Sequence, residues 1–230
     1  MKRYFLGLYL LLFSIQISQA ENNPLHGVYK MEHEDTYTLW LFVDGYSSMI
    51  HYTDKQYLST TGGPFSFDGN IISVQTEYND LYSNAVGTTI QFAIKMEGEN
   101  LKDKSDNIWI KQSSESSALD GLWRITGRQQ GDEMVVMKRG DRKTIKLLVD
   151  GHFQWIAINP AQRGFYGTGG GQYSFKNHKY TEHLLFFSRD NTRVGSSLQF
   201  DGEIKDGAWH HAGMSSKGDD IHEIWSKETQ

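Results

Sequence analysis

The chain aligns with itself, and this repeat limits the possible folds more than any other feature. Gly27-Val28-Tyr29 matches Gly121-Leu122-Trp123, and Leu41-Phe42-Val43-Asp44-Gly45 matches Leu147-Leu148-Val149-Asp150-Gly151. Gly63-Pro64-Phe65-Ser66-Phe67 matches Gly171-Gln172-Tyr173-Ser174-Phe175. The block from Val86 to Phe92 matches that from Val194 to Phe200, and Ile108-Trp109-Ile110-Lys111 matches Ile224-Trp225-Ser226-Lys227. The same order of blocks twice implies two diverged copies of one unit. The spacing between partners grows along the chain, so the second copy carries insertions. Each copy is long enough to close its own core, which excludes a solenoid. The polar, Ser-rich stretch from Gln112 to Ser117 reads as a linker.

Within each copy the hydrophobic period is two. The run Thr144 to Val149 stops at Asp150-Gly151, a hairpin turn signal, and His152 to Ile158 then alternates. Similar turns recur at Asp68-Gly69 and Asp206-Gly207. The chain has only three prolines, and no helical stripe follows its first residues. The second copy reads as about eight strands, the regular spacing of a sandwich or barrel. Closure is favoured because it leaves no exposed edge. The expected fold is all-β: two tandem antiparallel up-and-down barrels, over residues 21–112 and 118–230. Runs with apolar residues on both faces, such as Leu184-Leu185-Phe186-Phe187, call for packing on both sides, one side against the other copy.

The first twenty residues read as a secretory signal. Lys2 and Arg3 precede an apolar run from Phe5 to Ile15, and Ser18-Gln19-Ala20 supplies small residues for cleavage. The run is short for a membrane span. The expected location is therefore periplasmic or secreted. The absence of cysteine rules out a disulfide scaffold, so the core must stand unaided. With 12 Phe, 12 Tyr and 6 Trp it has the residues to do so. The formal net charge of −5 becomes two units more negative once the leader is removed, which argues against a nucleic-acid binder.

Gly121-Leu122-Trp123 near the start of a first strand, with Lys227 after the last, resembles the calycin pattern of lipocalins. More closely, the second copy resembles the lipocalin-like domains of exported Bacteroidetes proteins. The matching stretches are Val149 to Trp155, Gly169 to Tyr173, Tyr180 to His183, Trp209-His210 and Glu223 to Trp225. The first copy has Tyr29 in place of the tryptophan and lacks the Glu-His and Trp-His pairs. The resemblance implies a small barrel with an internal cavity, and no single activity.

Chemistry-bearing residues concentrate in the second copy. It holds six of the nine histidines: His152, His178, His183, His210, His211 and His222. Tyr173, Tyr180, Glu182, Trp155, Trp209 and Glu223 join them on expected strands. Strand parity puts Tyr180 and Glu182 on one face and His183 on the other; Trp209 and His211 likewise share a face opposite His210. Four readings follow. Aromatic faces with Glu and His suit a carbohydrate site, drawing on Trp155, Trp209, Tyr180, Tyr173, Glu182 and His210. Its catalytic version eliminates water from a uronic acid sugar as a metal-independent carbon–oxygen lyase. There His210 would be the base and Tyr173 the acid, with Glu182 and His183 completing the set. A lipocalin-type carrier of an apolar ligand would want a less polar lumen. Finally, such residues also serve as ordinary core and rim groups. No metal or cofactor is expected, because the adjacent His210-His211 face opposite ways and no close ligand pair of the zinc type is present. Gly169-Gly170-Gly171 lacks a following Lys-Ser/Thr and helix, so it reads as a bulged turn entering a strand. The expected partner is a small-molecule or oligosaccharide ligand, with a homodimer left open and no membrane span.

Overall fold

Turn chemistry sets the strand order. In the computed structural model, which describes residues 23–113, 115–215 and 218–228, Asp44-Gly45, Asp150-Gly151 and Asp206-Gly207 all adopt positive φ at both positions. This is the geometry whose twist matches paired antiparallel strands. The Asp68 turn is built differently: its carboxylate accepts hydrogen bonds from the backbone N–H groups of Asn70 and Ile71.

The first barrel comprises β1 (Gly27–His33), β2 (Thr36–Val43), β3 (Tyr46–Thr53), β4 (Gln56–Phe67), β5 (Ile71–Gln75), β6 (Tyr78–Asn79), β7 (Thr89–Glu97), β8 (Asn100–Asp103) and β9 (Ile108–Gln112). The second comprises β10 (Gly121–Gln130), β11 (Glu133–Val136), β12 (Lys143–Val149), β13 (His152–Asn159), β14 (Gly164–Lys176), β15 (Lys179–Phe187), β16 (Ser197–Lys205), β17 (Ala208–Met214) and β18 (Asp220–Lys227). Every pairing is antiparallel. β1 closes on β9 and β3 on β4 in the first barrel, and β10 closes on β18 in the second. Each ring therefore has eight strands, with β6 and β11 as short additions. The expected leader lies outside the described residues.

Three apolar layers follow from strand parity. One fills the first barrel, where Trp40 packs on Phe42, Phe92 and Trp109 at centroid distances of 4.9–5.2 Å. A second fills the other barrel around Trp123, Trp209 and Trp225. The third lies between the barrels: Val28, Leu39, Leu41, Val43 and Ile50 meet Leu122, Ile145, Leu147, Val149 and Ile156. This shared layer is why β2 is apolar on both faces and why Ile145, Leu147 and Val149 of β12 are buried on the side away from their own lumen. Buried at the same interface, the Ser48 hydroxyl bonds to Gln154 Oε1, whose amide reaches Thr60 Oγ1 (3.1 Å) and Thr168 Oγ1 (3.0 Å).

The repeated glycines mark where one barrel docks on the other. Asp44, in the turn of the first barrel, accepts a 2.8 Å hydrogen bond from the Leu122 N–H at the start of the second. A Cβ on Gly121 would sit 2.8 Å from that carboxylate, and a Cβ on Gly27 would sit 2.7 Å from the Asp150 carboxylate. The Gly-x-Trp/Tyr and Val-Asp-Gly blocks are thus the two halves of one reciprocal contact.

One expectation needs correction. Gly169-Gly170-Gly171 is strand interior, not a turn, and pairs with β13 on one side and β15 on the other. The bulge falls at Gly170/Gly171, where the register with β15 skips Leu185. Leu184 consequently faces the lumen, whereas Leu185 and Phe186 both pack on the inter-barrel layer.

Candidate functional site

The second lumen has a closed end and an open end. At the closed end, the segment before β10 crosses the barrel: Leu119 is fully buried and its carbonyl accepts from Trp123 Nε1 at 2.7 Å. Tyr173 donates to the Asp120 carboxylate, and Lys227 donates to the Asp120 carbonyl while lying 4.5 Å from the Trp123 ring centroid. Burial pushes the Lys227 ammonium below its ordinary value, against the pull of Asp44 and Asp120. At the other end, Trp155, Phe187, Leu198 and Ile221 are half-buried around the rim.

Between the two ends, strand alternation drives charge into the middle of the lumen. Lys146 on β12, 3% exposed, pairs with Glu182 on β15 at 3.0 Å. Its ammonium lies 5.0–5.1 Å from the ring centroids of Tyr180, Trp209 and Trp225, placing it in an aromatic cage. Nearer the open end, Arg128 on β10 bonds Glu223 on β18, and Glu223 also accepts from Trp225 Nε1 at 3.2 Å. His211 on β17 stands 3.6 Å from Glu223.

These neighbours set the ionisation. Burial alone would raise the Glu223 carboxyl, but His211, Lys146 and Arg128 outweigh it and hold the group at about 2. Burial pushes the His211 imidazole below its ordinary value, against the pull of Glu223. Burial, reinforced by Glu182, pushes the Tyr180 phenol far up, so it remains a neutral hydroxyl.

Tyr180 Oη, Trp209 Nε1 and both ring nitrogens of His211 are buried without a hydrogen-bond partner among the described residues. Buried polar groups are ordinarily satisfied. These four atoms sit on three adjoining rings of the second barrel (Tyr180–Trp209 4.9 Å, Trp209–His211 5.1 Å between centroids). The groove between the barrels, about 330 Å³ and lined by Tyr46, Glu77, Leu122, Lys143, Ile145 and Glu228, is different. Its charges already satisfy one another: Lys143 and Tyr46 both bond Glu77, while Arg124 and Arg139 pair with Glu228.

The fold sorts the sequence candidates. Tyr180, Glu182 and Trp209 share the lumen with Lys146 and His211, and Trp155 lies at its rim with Arg189 5.4 Å from its ring. Tyr173 also faces inward but is committed to the closed end through Asp120. His183 and His210 point to the outer surface, where His183 contacts Ser197 and His210 contacts His222. His210 and Tyr173 are therefore not brought together, and the histidine in the lumen is the next residue, His211. Sequence reasoning missed Lys146, hidden in an apolar run, and Arg128; parity with Trp209 was the available signal for His211.

No family model and no curated protein matches the chain. Among solved structures it is similar to a lipocalin-like protein from Bacteroides uniformis, at 18% identity, over 49% of this chain and 100% of that one, with a TM-score of 0.34. The two closed eight-stranded antiparallel rings make this an all-β, double-barrel protein. No helix among the described residues is long and apolar enough to cross a membrane.

Proposed function

We propose that the protein is a non-catalytic binder of a small polar ligand, exported by the leader expected at residues 1–20, and that the ligand enters the second barrel through its open end. The observation that carries this reading is the orphaned set of Tyr180 Oη, Trp209 Nε1 and His211 beside the Lys146–Glu182 pair. A ligand supplying their missing hydrogen bonds would relieve about 1–3 kcal/mol for each otherwise unsatisfied group. The charges of Lys146, Glu182, Arg128 and Glu223 balance, which favours an uncharged, hydroxylated molecule over an anion. A sugar hydroxyl fits, because it accepts from an indole N–H and donates to a carboxylate in the same position. The surrounding rings suit the C–H faces of a sugar.

The first barrel plays a structural part in this reading, since among the described residues no Lys, Arg, Asp or Glu is buried in it and Tyr29, Trp40, Phe42 and Trp109 pack together in its lumen. The elimination chemistry expected of His210 with Tyr173 has no support in the placement of those two side chains.

The test is calorimetric titration of the mature chain with neutral mono- and disaccharides, uronic-acid oligosaccharides and a fatty acid. Saturable binding of a neutral sugar, weakened at least tenfold by Tyr180→Phe, is the expected result. Binding of the fatty acid alone would reject the polar-ligand reading. Ultraviolet absorbance from a new C=C bond conjugated to a carboxylate, appearing with the uronic-acid oligosaccharides, would reject the non-catalytic reading.

A further inference from the structure

His210 and His222 meet on the outer face of the second barrel, away from the lumen and from the other barrel. On β17 and β18, His210 lies opposite Ile224 and His222 opposite Ala212, so the histidines are diagonal neighbours on one face of an antiparallel pair. His210 Nδ1 and His222 Nε2 are 3.4 Å apart, with ring centroids separated by 5.7 Å. That spacing is long for a hydrogen bond from one imidazole to another, which prefers about 2.7–3.2 Å. It matches two nitrogens on one tetrahedral ion, since Zn–N bonds of about 2.0–2.1 Å place adjacent ligand atoms roughly 3.4 Å apart. Both rings are half-buried, so their orientation is partly fixed by the wall while the space before them stays open.

We propose that His210 and His222 form a two-histidine chelate for a borderline divalent transition metal such as Zn²⁺, Ni²⁺ or Cu²⁺. Imidazole ligands suit these ions, whereas Mg²⁺ and Ca²⁺ demand oxygen. Among the described residues no group of three or more His, Cys, Asp or Glu side chains is gathered for a metal, so the remaining positions fall to water or to an exchangeable small ligand. Glu203, exposed and directly opposite His210 on β16, adds negative charge to the approach. The site is invisible to a search for closely spaced ligands. Its members are twelve residues apart, and only the β17–β18 register brings them together.

The test is isothermal titration of the tag-free mature chain with ZnCl₂ and NiCl₂, using MgCl₂ as control. The expected result is one saturable equivalent of zinc and of nickel, and none of magnesium. His210→Ala and His222→Ala should each weaken binding at least tenfold. His183→Ala, on the outer face of β15, should leave it unchanged. Far-ultraviolet circular dichroism checks that the variants fold, and His222→Gln replaces any that does not. In the Cu²⁺-loaded protein, electron paramagnetic resonance should show coupling to two nitrogens that falls to one in His222→Ala. Undiminished metal binding by the His210→Ala/His222→Ala double variant, or no saturable binding by the parent chain, would overturn the proposal.

Discussion

Lys146 is the residue on which the second lumen turns. Its partner Glu182 is 5% exposed, so removing the ammonium strands a carboxylate in a low-dielectric interior. Lys146→Met should cost about 3–5 kcal/mol in urea unfolding. Lys146→Met combined with Glu182→Leu should be less damaging than Lys146→Met alone, because no buried charge is left over. A double variant as unstable as the sum of its parts would show that the pair is not coupled. Glu223 supplies a second residue-level prediction, in pH. Its folded value of about 2 lies below the ordinary 4.5, so its contribution is complete above pH 4.5 and is lost as pH falls towards 2. By linkage this amounts to up to about 3 kcal/mol. His211, depressed from 6.5 by burial, acts in the same direction, because the unfolded chain takes up its proton first as pH falls below 6.5. Denaturation curves between pH 7 and 2.5 should show Glu223→Gln losing less stability below pH 4.5 than the parent. An unchanged acid slope would contradict this.

At the scale of elements, β14 shows how close packing selects glycine. A Cβ on Gly171 would lie 2.1 Å from the His183 carbonyl oxygen, at a backbone φ of +157°. Neither backbone can retreat without breaking the β14–β15 ladder. Gly171→Ala should therefore cost more than about 4 kcal/mol or prevent folding. Gly207, at φ +76° with open space around it, needs only the left-handed conformation, so Gly207→Ala should cost about 1–2 kcal/mol. Comparable losses from the two substitutions would refute the steric argument. The strands themselves were legible in the sequence because period two and Asp-Gly turns are local signals. The phase of β15 beyond Leu184 was not, because a bulge depends on the neighbouring strand. For the same reason parity grouped Tyr180 with Glu182 and Trp209 with His211, yet left open which face was the lumen. His210 rather than His211 was favoured for chemistry, and only closure of the ring decides which of the two points inward.

For the molecule as a whole, the layer between the barrels ties their stabilities together. Leu41 and Leu147 contribute to one shared cluster, and the Ser48–Gln154–Thr60 network crosses the same plane. The chain should consequently unfold in a single calorimetric transition. Ile145→Asp, at the interface, should speed hydrogen exchange in β2 and β3 as well as in its own β12. Protection lost only in the second barrel would mean that the barrels are energetically independent. The two halves share a scaffold but differ in their lumens. Barrel, turns and docking glycines are common to both halves, whereas among the described residues the buried Lys146–Glu182 and His211–Glu223 pairs and four of the six orphaned side-chain atoms lie in the second barrel, Tyr29 Oη and Thr76 Oγ1 being the two in the first.

The indole N–H of Trp209 reports most directly on whether that lumen receives a ligand. In ¹⁵N-labelled protein its resonance can be assigned by its loss in Trp209→Phe and followed through titration with the neutral sugar that binds in calorimetry. The account predicts a saturable downfield shift of this signal as the indole acquires an acceptor, while the Trp40 and Trp109 signals of the first barrel stay in place. A sugar that binds while leaving Trp209 unmoved, or that shifts the first-barrel indoles instead, would contradict it.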